Sequence, residues 1–324
     1  MRAMLTLDPS ITEGGGSVSF ARVLADWLPR LGIDVAFDLE ARADVLLVFA
    51  HHATPRLLAR HRRRGTPVLH RLDERIDPDE TPARRRKHAR IARLNALADM
   101  TIFQSVFVRD NVGPICRAPA ARVIYNGVDP DVFCAEGPRR ELEGAPAVLH
   151  VSWSVGTTKR LDRVAELLAA APAGLRLYCV GRHAESHEPW LTDPRVRLLG
   201  PQPRQVVAAY MRSADVLFFP SESEPCPNTL LEAMACGLPC LYHASGGTPE
   251  LLGETGVPLG RCLRDDLARL LAARERLRAH ALARATRFTA SRAAGDYATA
   301  MREAVAAPPA PRSTLRRLWN LYGF

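Results

Sequence analysis

The chain has almost no lysine: of 44 basic residues, all but Lys87 and Lys159 are arginine. Cysteine is sparse and ill-spaced. Seven cysteines, an odd number with no CxxC pair, exclude a disulfide framework or a zinc ribbon and favour a reduced, cytoplasmic setting. Cys226, Cys236 and Cys240 lie near one another in sequence but have no fourth ligand nearby, so no metal is expected there. Aromatic residues make up 6% and none interleaves with the basic runs, which argues against nucleic acid as a partner. Long apolar runs are missing too. VLLVFA at 45–50 falls far short of the roughly 18 residues of a spanning helix, and MRAMLTLDPS reaches Asp8 before any signal-like core forms. GxGxxG is absent, which leaves a nicotinamide site little support, and no Asp-x-Asp metal site stands out. No cofactor is expected.

What is present is a chain of 324 residues, 47% hydrophobic and 24% charged, with a net charge of +9. That length suits two domains with a core each. Apolar runs alternate with helical patterns almost from end to end, the signature of α/β layers on parallel sheets. Strands are expected at 3–8, 34–39, 44–50, 67–72, 100–105 and 122–126, and again at 147–153, 175–181, 196–200, 215–221 and 239–244. Phe20, Val23, Leu24, Trp27, Leu28 and Leu31 recur at helical spacing, and Gly32 closes that helix. The polar join at 135–147 sets expected domains at 1–136 and 146–290. Residues 291–324 form a helical segment expected to pack back on the first domain. TLRRLWNLYGF at 314–324 reads either as a membrane-contact helix or as a helix docked on the N-terminal domain. The arginine runs at 59–65 and 83–90 read equally as solvated faces or as a surface for anionic lipid or glycan.

One stretch, SESEPCPNTLLEAMACGLPCL at 221–241, concentrates the chemistry. A buried strand precedes it and a helix begins near Asn228 or Thr229, so the loop lies at the carboxyl edge of a parallel sheet, where such sheets bind ligands. The backbone N–H groups of Asn228, Thr229 and Leu230 suit a phosphate. Glu232 in the first turn would accept two hydroxyl hydrogen bonds, as a ribose offers, and Glu224 would accept from a sugar beyond the phosphates. Gly14, Gly15 and Gly16 end the first strand and allow close approach of backbone, with Gly15 and Gly16 expected on the donor, or form an ordinary tight turn. His70, His51 and His52 end neighbouring strands at one sheet edge, and Asp73 stands three residues past His70. His183 and His187 read as loop residues.

These segments resemble the retaining glycosyltransferases of the GT-B fold, glycosyltransferase family 4. Glu224, seven residues, then Glu232 matches the donor-sugar motif, and EAMACGLPCL its helix and next strand. SGGTPELL at 245–252, VIYNGVDPDVF at 123–133, ADMTIFQSVFVRD at 98–110 and EGGGSVSFARVLADWLPRLGIDV near the start follow the family's order. The resemblance implies two Rossmann-like domains facing a central cleft, a nucleoside-diphosphate-sugar donor on the second and a hydroxyl acceptor on the first. The acceptor would be a glycan or lipid-linked molecule, with cell-envelope polysaccharide or glycolipid synthesis as the setting and an anionic membrane surface at the inner face as a further partner. It assigns Glu232 to the ribose, Glu224 to the donor sugar, Lys159 to the diphosphate and His70 to the reacting sugar, without metal and with retention at the anomeric carbon. The chain departs from the pattern at Ser154, where an arginine is usual, and at Arg160, where glycine is common, so Arg160 stands as a replacement phosphate ligand. Two rival readings remain: a nucleotide-sugar epimerase or hydrolase of the same architecture, and a non-catalytic binding member that docks on membranes.

Overall fold

The structure, a computed structural model, describes residues 1–10, 15–77 and 80–307. Gly14 and the segment 314–324 lie outside the described residues. The chain divides into two compact units, Met1–Gly127 with the segment from Ala290, and Val128–Thr289.

The first unit is built on β1 (Arg2–Leu5), α1 (Gly16–Trp27), β2 (Asp34–Ala36), β3 (Val45–Phe49), α2 (Pro55–Arg63), β4 (Val68–Leu72), α3 (Pro82–Asn95), β5 (Met100–Phe103), α4 (Val106–Val112) and β6 (Ala120–Val123). All strands pair in parallel in the order β2-β1-β3-β4-β5-β6. The chain reverses direction across the sheet between β1 and β3, which marks the ligand edge of such a sheet. Thr54, Thr81 and Ser105 cap the helices that follow them, each hydroxyl accepting an N–H three residues on. Pro55 and Pro82 sit at first helical positions, where a missing N–H costs nothing. The expected long first helix ends at Trp27, because Pro29 starts a 3-10 turn that Gly32 closes at φ 75.

The second unit contains β7 (Ala147–Ser152), α5 (Asp162–Ala170), β8 (Arg176–Gly181), β9 (Val196–Gly200), α6 (Arg204–Ser213), β10 (Val216–Phe219), α7 (Asn228–Ala235), β11 (Cys240–Tyr242), α8 (Thr248–Leu252), β12 (Gly256–Pro258), α9 (Leu263–Ala272) and α10 (Arg274–Ala285). Its parallel sheet runs β12-β11-β10-β7-β8-β9, with the switch between β7 and β10. The edge strand β12 escaped the sequence reading because three residues ending in Pro258 carry no alternation, and proline is tolerated only at such an edge. His183, read as a loop residue, is buried: it is hydrogen-bonded to His150 at 2.7 Å and packs beside Trp190.

The chain then returns to the first unit as α11 (Ala290–Ala306). Ala294, Tyr297 and Met301 bury one face of it against Phe20 and Leu24 of α1. The Phe20 and Tyr297 rings lie 5.6 Å apart. Burying each large side chain contributes about 2 kcal/mol, and Arg122 pairs with Glu303 across the same unit. The first boundary falls at 127 rather than 136. Val128 N–H donates to Phe288 O at 2.8 Å, and Arg212 holds the carbonyls of Val132, Cys134 and Pro138. Residues 128–138 are thereby tied to the second unit.

Candidate functional site

In the second unit the loops after β7 and β10, the two strands at the switch, carry the candidate residues. Thr158 O accepts the Glu222 N–H at 2.8 Å, which fastens the loops edge to edge. Lys159 is consequently brought to Glu224, and the two form a partly buried ion pair. Arg160 follows at φ 49, a left-handed conformation that costs a residue with a Cβ roughly 1 kcal/mol. Its guanidinium is held by Glu222 and, through Nε at 3.0 Å and Nη2 at 2.8 Å, by Asp162. Those hydrogen bonds, Asp162 first, raise its pKa. Arg160 is therefore no uncommitted phosphate ligand: two acids already occupy its fork. Ser154, exposed on the same loop, brings no charge, and its carbonyl accepts the Ser152 hydroxyl at 2.7 Å.

The Glu224 loop is fixed from its other side by the loop after β11. Ser223, at φ 53, donates its N–H to Ser245 Oγ at 2.8 Å, and Gly247 N–H donates to Glu224 O at 2.8 Å. The approach is so close that a Cβ on Gly247 would stand 2.1 Å from Pro225 O. His243 faces Glu222 at 3.5 Å and Ser245 Oγ at 2.9 Å. Ser245, Gly246, Gly247, Glu222 and His243 were not singled out as site residues, although SGG itself signals close backbone contact.

α7 starts at Asn228, as its turn chemistry predicts, with Pro227 ahead of it and no side-chain cap. Of the three expected amide donors, Leu230 N–H is bonded to Pro227 O at 3.2 Å, so it is committed within the first turn; Asn228 and Thr229 stand before it. Glu232 lies one turn further on. Part of its surface is accessible, yet no described residue donates a hydrogen bond to its carboxylate, and burial pushes its pKa up to about 7, against a smaller opposing pull from Arg204.

In the first unit, Gly15 precedes α1 at φ 92 and Gly16 opens the helix. Ser17 Oγ donates to Asp73, which also takes Nη1 of the fully buried Arg71 at 2.6 Å. Burial opposes Asp73 ionisation, but Arg71 and the Ser17 hydroxyl outweigh it and lower its pKa. His51 and His52 stack at 4.4 Å nearby. Burial first, then Lys87, pulls His51 down to about 4, so it is neutral at physiological pH. His70 corrects its assignment. It is fully buried, its Nε2–H donates to Ala50 O at 2.7 Å, and Nδ1 faces the Asn95 amide at 3.4 Å. Burial takes its pKa to about 4. Both ring nitrogens are committed inside the unit, as befits a core histidine on a strand covered on both faces, not a group beside a sugar.

Comparison with known proteins points to glycosyltransferases. Residues 149–280 match the family model described as glycosyl transferases group 1. That stretch makes up most of the second unit. D-inositol 3-phosphate glycosyltransferase of Streptosporangium roseum is 32% identical over 215 residues, covering 55% of this chain and 49% of that protein. The chain thus covers no more than about half the length of such curated relatives. Sucrose-phosphate synthase from Thermosynechococcus elongatus superposes with a TM-score of 0.80 at 19% identity, covering 95% of this chain and 99% of the other. Anabaena HepE in complex with UDP-glucose gives 0.72 at 17% identity, covering 93% and 99%. The fold is GT-B, α/β with two parallel six-stranded sheets.

The left-handed backbone at Arg160 gives a physical reason for glycine to be common at that position. Here arginine accepts the strain, and its two carboxylates hold it in place. Among the described residues no helix is long and apolar enough to cross a membrane.

Proposed function

We propose that the chain is a retaining glycosyltransferase that moves a sugar from a nucleoside-diphosphate sugar to a hydroxyl acceptor. The observation that carries this reading is the convergence of Lys159, Glu224 and the α7 start, with Glu232, at the switch point of the second unit's sheet. The family match over 149–280 and the UDP-glucose complex of HepE support it. Glu232 accepts the two ribose hydroxyls, Glu224 accepts donor-sugar hydroxyls, and Lys159 with the Asn228 and Thr229 amides neutralises the leaving diphosphate. Front-face attack, with the departing phosphate oxygen taking the acceptor proton, gives retention without a metal or a protein nucleophile. The first unit supplies the acceptor side through His51, His52 and Asp73. The cations Lys87 and Arg90 beside the two histidines favour an acceptor or membrane surface that carries negative charge, such as an envelope glycan or glycolipid precursor.

A thermal-shift screen of nucleoside diphosphates and their sugars tests the reading. A donor at 100 times its Kd adds about 2.7 kcal/mol and raises the melting temperature by several degrees. No shift with any nucleotide sugar would sink the proposal. Ser154 favours a second reading, a non-catalytic binding member, because the usual arginine charge is missing from the diphosphate side. Labelled donor that binds but is never consumed with cell-extract acceptors would select it.

Gly247→Ala tests the role of the SGG loop. The added methyl collides with Pro225 O, so the Glu224 loop must shift by about an ångström. Transfer is expected to fall ten- to a hundredfold, with a stability loss of about 1–3 kcal/mol by urea titration. Transfer at the wild-type rate would show that the loop position is immaterial.

A further inference from the structure

The second unit pairs its donor-side cations with its own acids. Lys159 is bound by Glu224, with side chains 23% and 18% exposed, and Arg160 by Glu222 and Asp162. Two cations thus face three carboxylates, and the loops offer a diphosphate no net positive charge. The partners are not equally movable. The backbone of the Glu224 loop is pinned on both sides: the Glu222 N–H donates to Thr158 O, the Ser223 N–H to Ser245 Oγ, and the Gly247 N–H to Glu224 O. Arg160 is anchored twice on a strained backbone. Lys159, on a flexible four-carbon stem, is the group that can turn away.

An anion that draws Lys159 to itself strips a partly buried carboxylate of its counter-charge and leaves it beside the anion, an unfavourable arrangement. A diphosphate that also carries a sugar brings hydroxyl donors to the same carboxylate and replaces the lost ammonium. We infer that Glu224 determines specificity by locking Lys159: the unit admits sugar-bearing diphosphates by partner exchange and disfavours the bare nucleoside diphosphate, so that loss of the sugar on transfer promotes product release. This inference rests on reading the second unit as the donor domain, and goes beyond it in assigning selectivity to the Lys159–Glu224 pair.

Because Lys87 and Lys159 are the two lysines of the chain, protein labelled with 13C-lysine gives two sets of side-chain signals, and Lys159→Arg assigns one. Inorganic pyrophosphate and UDP-glucose serve as probes by calorimetry at low ionic strength. Glu224→Gln is expected to move the Lys159 signal, to tighten pyrophosphate binding about tenfold, and to weaken UDP-glucose binding. Glu222→Gln, which touches Arg160, is expected to change pyrophosphate affinity less than threefold. Glu224→Ser provides the same readout should the glutamine variant fold poorly, which circular dichroism reports. An unmoved Lys159 signal, or pyrophosphate affinity unchanged or weaker in Glu224→Gln, overturns the lock even where a nucleotide sugar binds the wild type. A wild type stabilised by no nucleotide sugar overturns the donor reading and the lock with it.

Discussion

Replacing Glu232 with alanine is expected to lower affinity for a nucleotide-sugar donor about a hundredfold. Two hydroxyl groups of a ribose donate to one carboxylate, and hydrogen bonds to a charged group contribute about 1.5–3 kcal/mol each, so losing the pair costs about 3 kcal/mol or more. The carboxylate meets no donor from the described residues, which leaves its lone pairs for a ligand. Its raised pKa adds a signature that a mere truncation effect would lack. At about 7 instead of 4.5, the folded state holds the Glu232 proton more tightly than the unfolded chain. As pH rises from 4.5 the unfolded chain ionises first, and folding loses stability up to about 7, about 3 kcal/mol in all. Glu232→Gln should therefore raise the melting temperature at pH 8 and leave it unchanged at pH 4. Donor binding runs the other way, because hydroxyls prefer the ionised form. Affinity for UDP-glucose should fall by up to tenfold per pH unit between 7 and 5 in the wild type, and that slope should vanish in Glu232→Gln. A flat wild-type profile from calorimetry would remove Glu232 from the ribose.

The architecture was legible because it rests on patterns of near neighbours. Runs such as VLLVF and VLFF mark strands buried on both faces, and the helices between them carry their own caps and stripes. The strand-to-helix turn at 220–228 likewise placed Glu224 in a loop and Glu232 on a helix, where both are found. Pairings between distant loops were not legible. Nothing within ten residues of Arg160 announces Glu222, sixty-two positions away, although Asp162, the other acid that closes off the guanidinium, stands only two residues on. His70 failed for a related reason. A strand end shows that a residue is near the sheet edge but not which face its ring takes, and Asn95 and Ala50, both distant in sequence, draw the ring into the core. The same is true of His183, whose partner His150 lies on the adjacent strand.

Arg71→Met is expected to destabilise the chain by about 3–5 kcal/mol, since it leaves Asp73 with a buried charge and no cation. Methionine fills much of the space, so the loss reports the interaction more than a cavity. Arg71 is wholly buried and gives Nη1 to Asp73 at 2.6 Å and Nη2 to Gln104 at 2.7 Å and Asn126 at 3.0 Å, while Phe20 and Phe49 lie 4.9 and 5.2 Å from its carbon. These contacts gather β4, β5, α1 and the segment after β6 around one guanidinium. Lysine has one donor centre and cannot serve three acceptors in that fork, so Arg71→Lys should recover only part of the loss. Asp73→Asn should cost a comparable amount: the amide keeps a Ser17 contact, but the wholly buried and permanently charged Arg71 loses its counter-ion and keeps Gln104 and Asn126, which are neutral, as acceptors. In the double variant the two penalties should fall short of their sum by more than 1 kcal/mol, the mark of a coupled pair. The lowered Asp73 pKa means that its share of stability is present above its ordinary value and disappears as pH falls through the folded value, so Arg71→Met should also flatten acid unfolding at low pH. Urea titrations of the four proteins settle the matter. Additive penalties would show that Arg71 and Asp73 fold independently, and that the Ser17 end of α1 is not held through them.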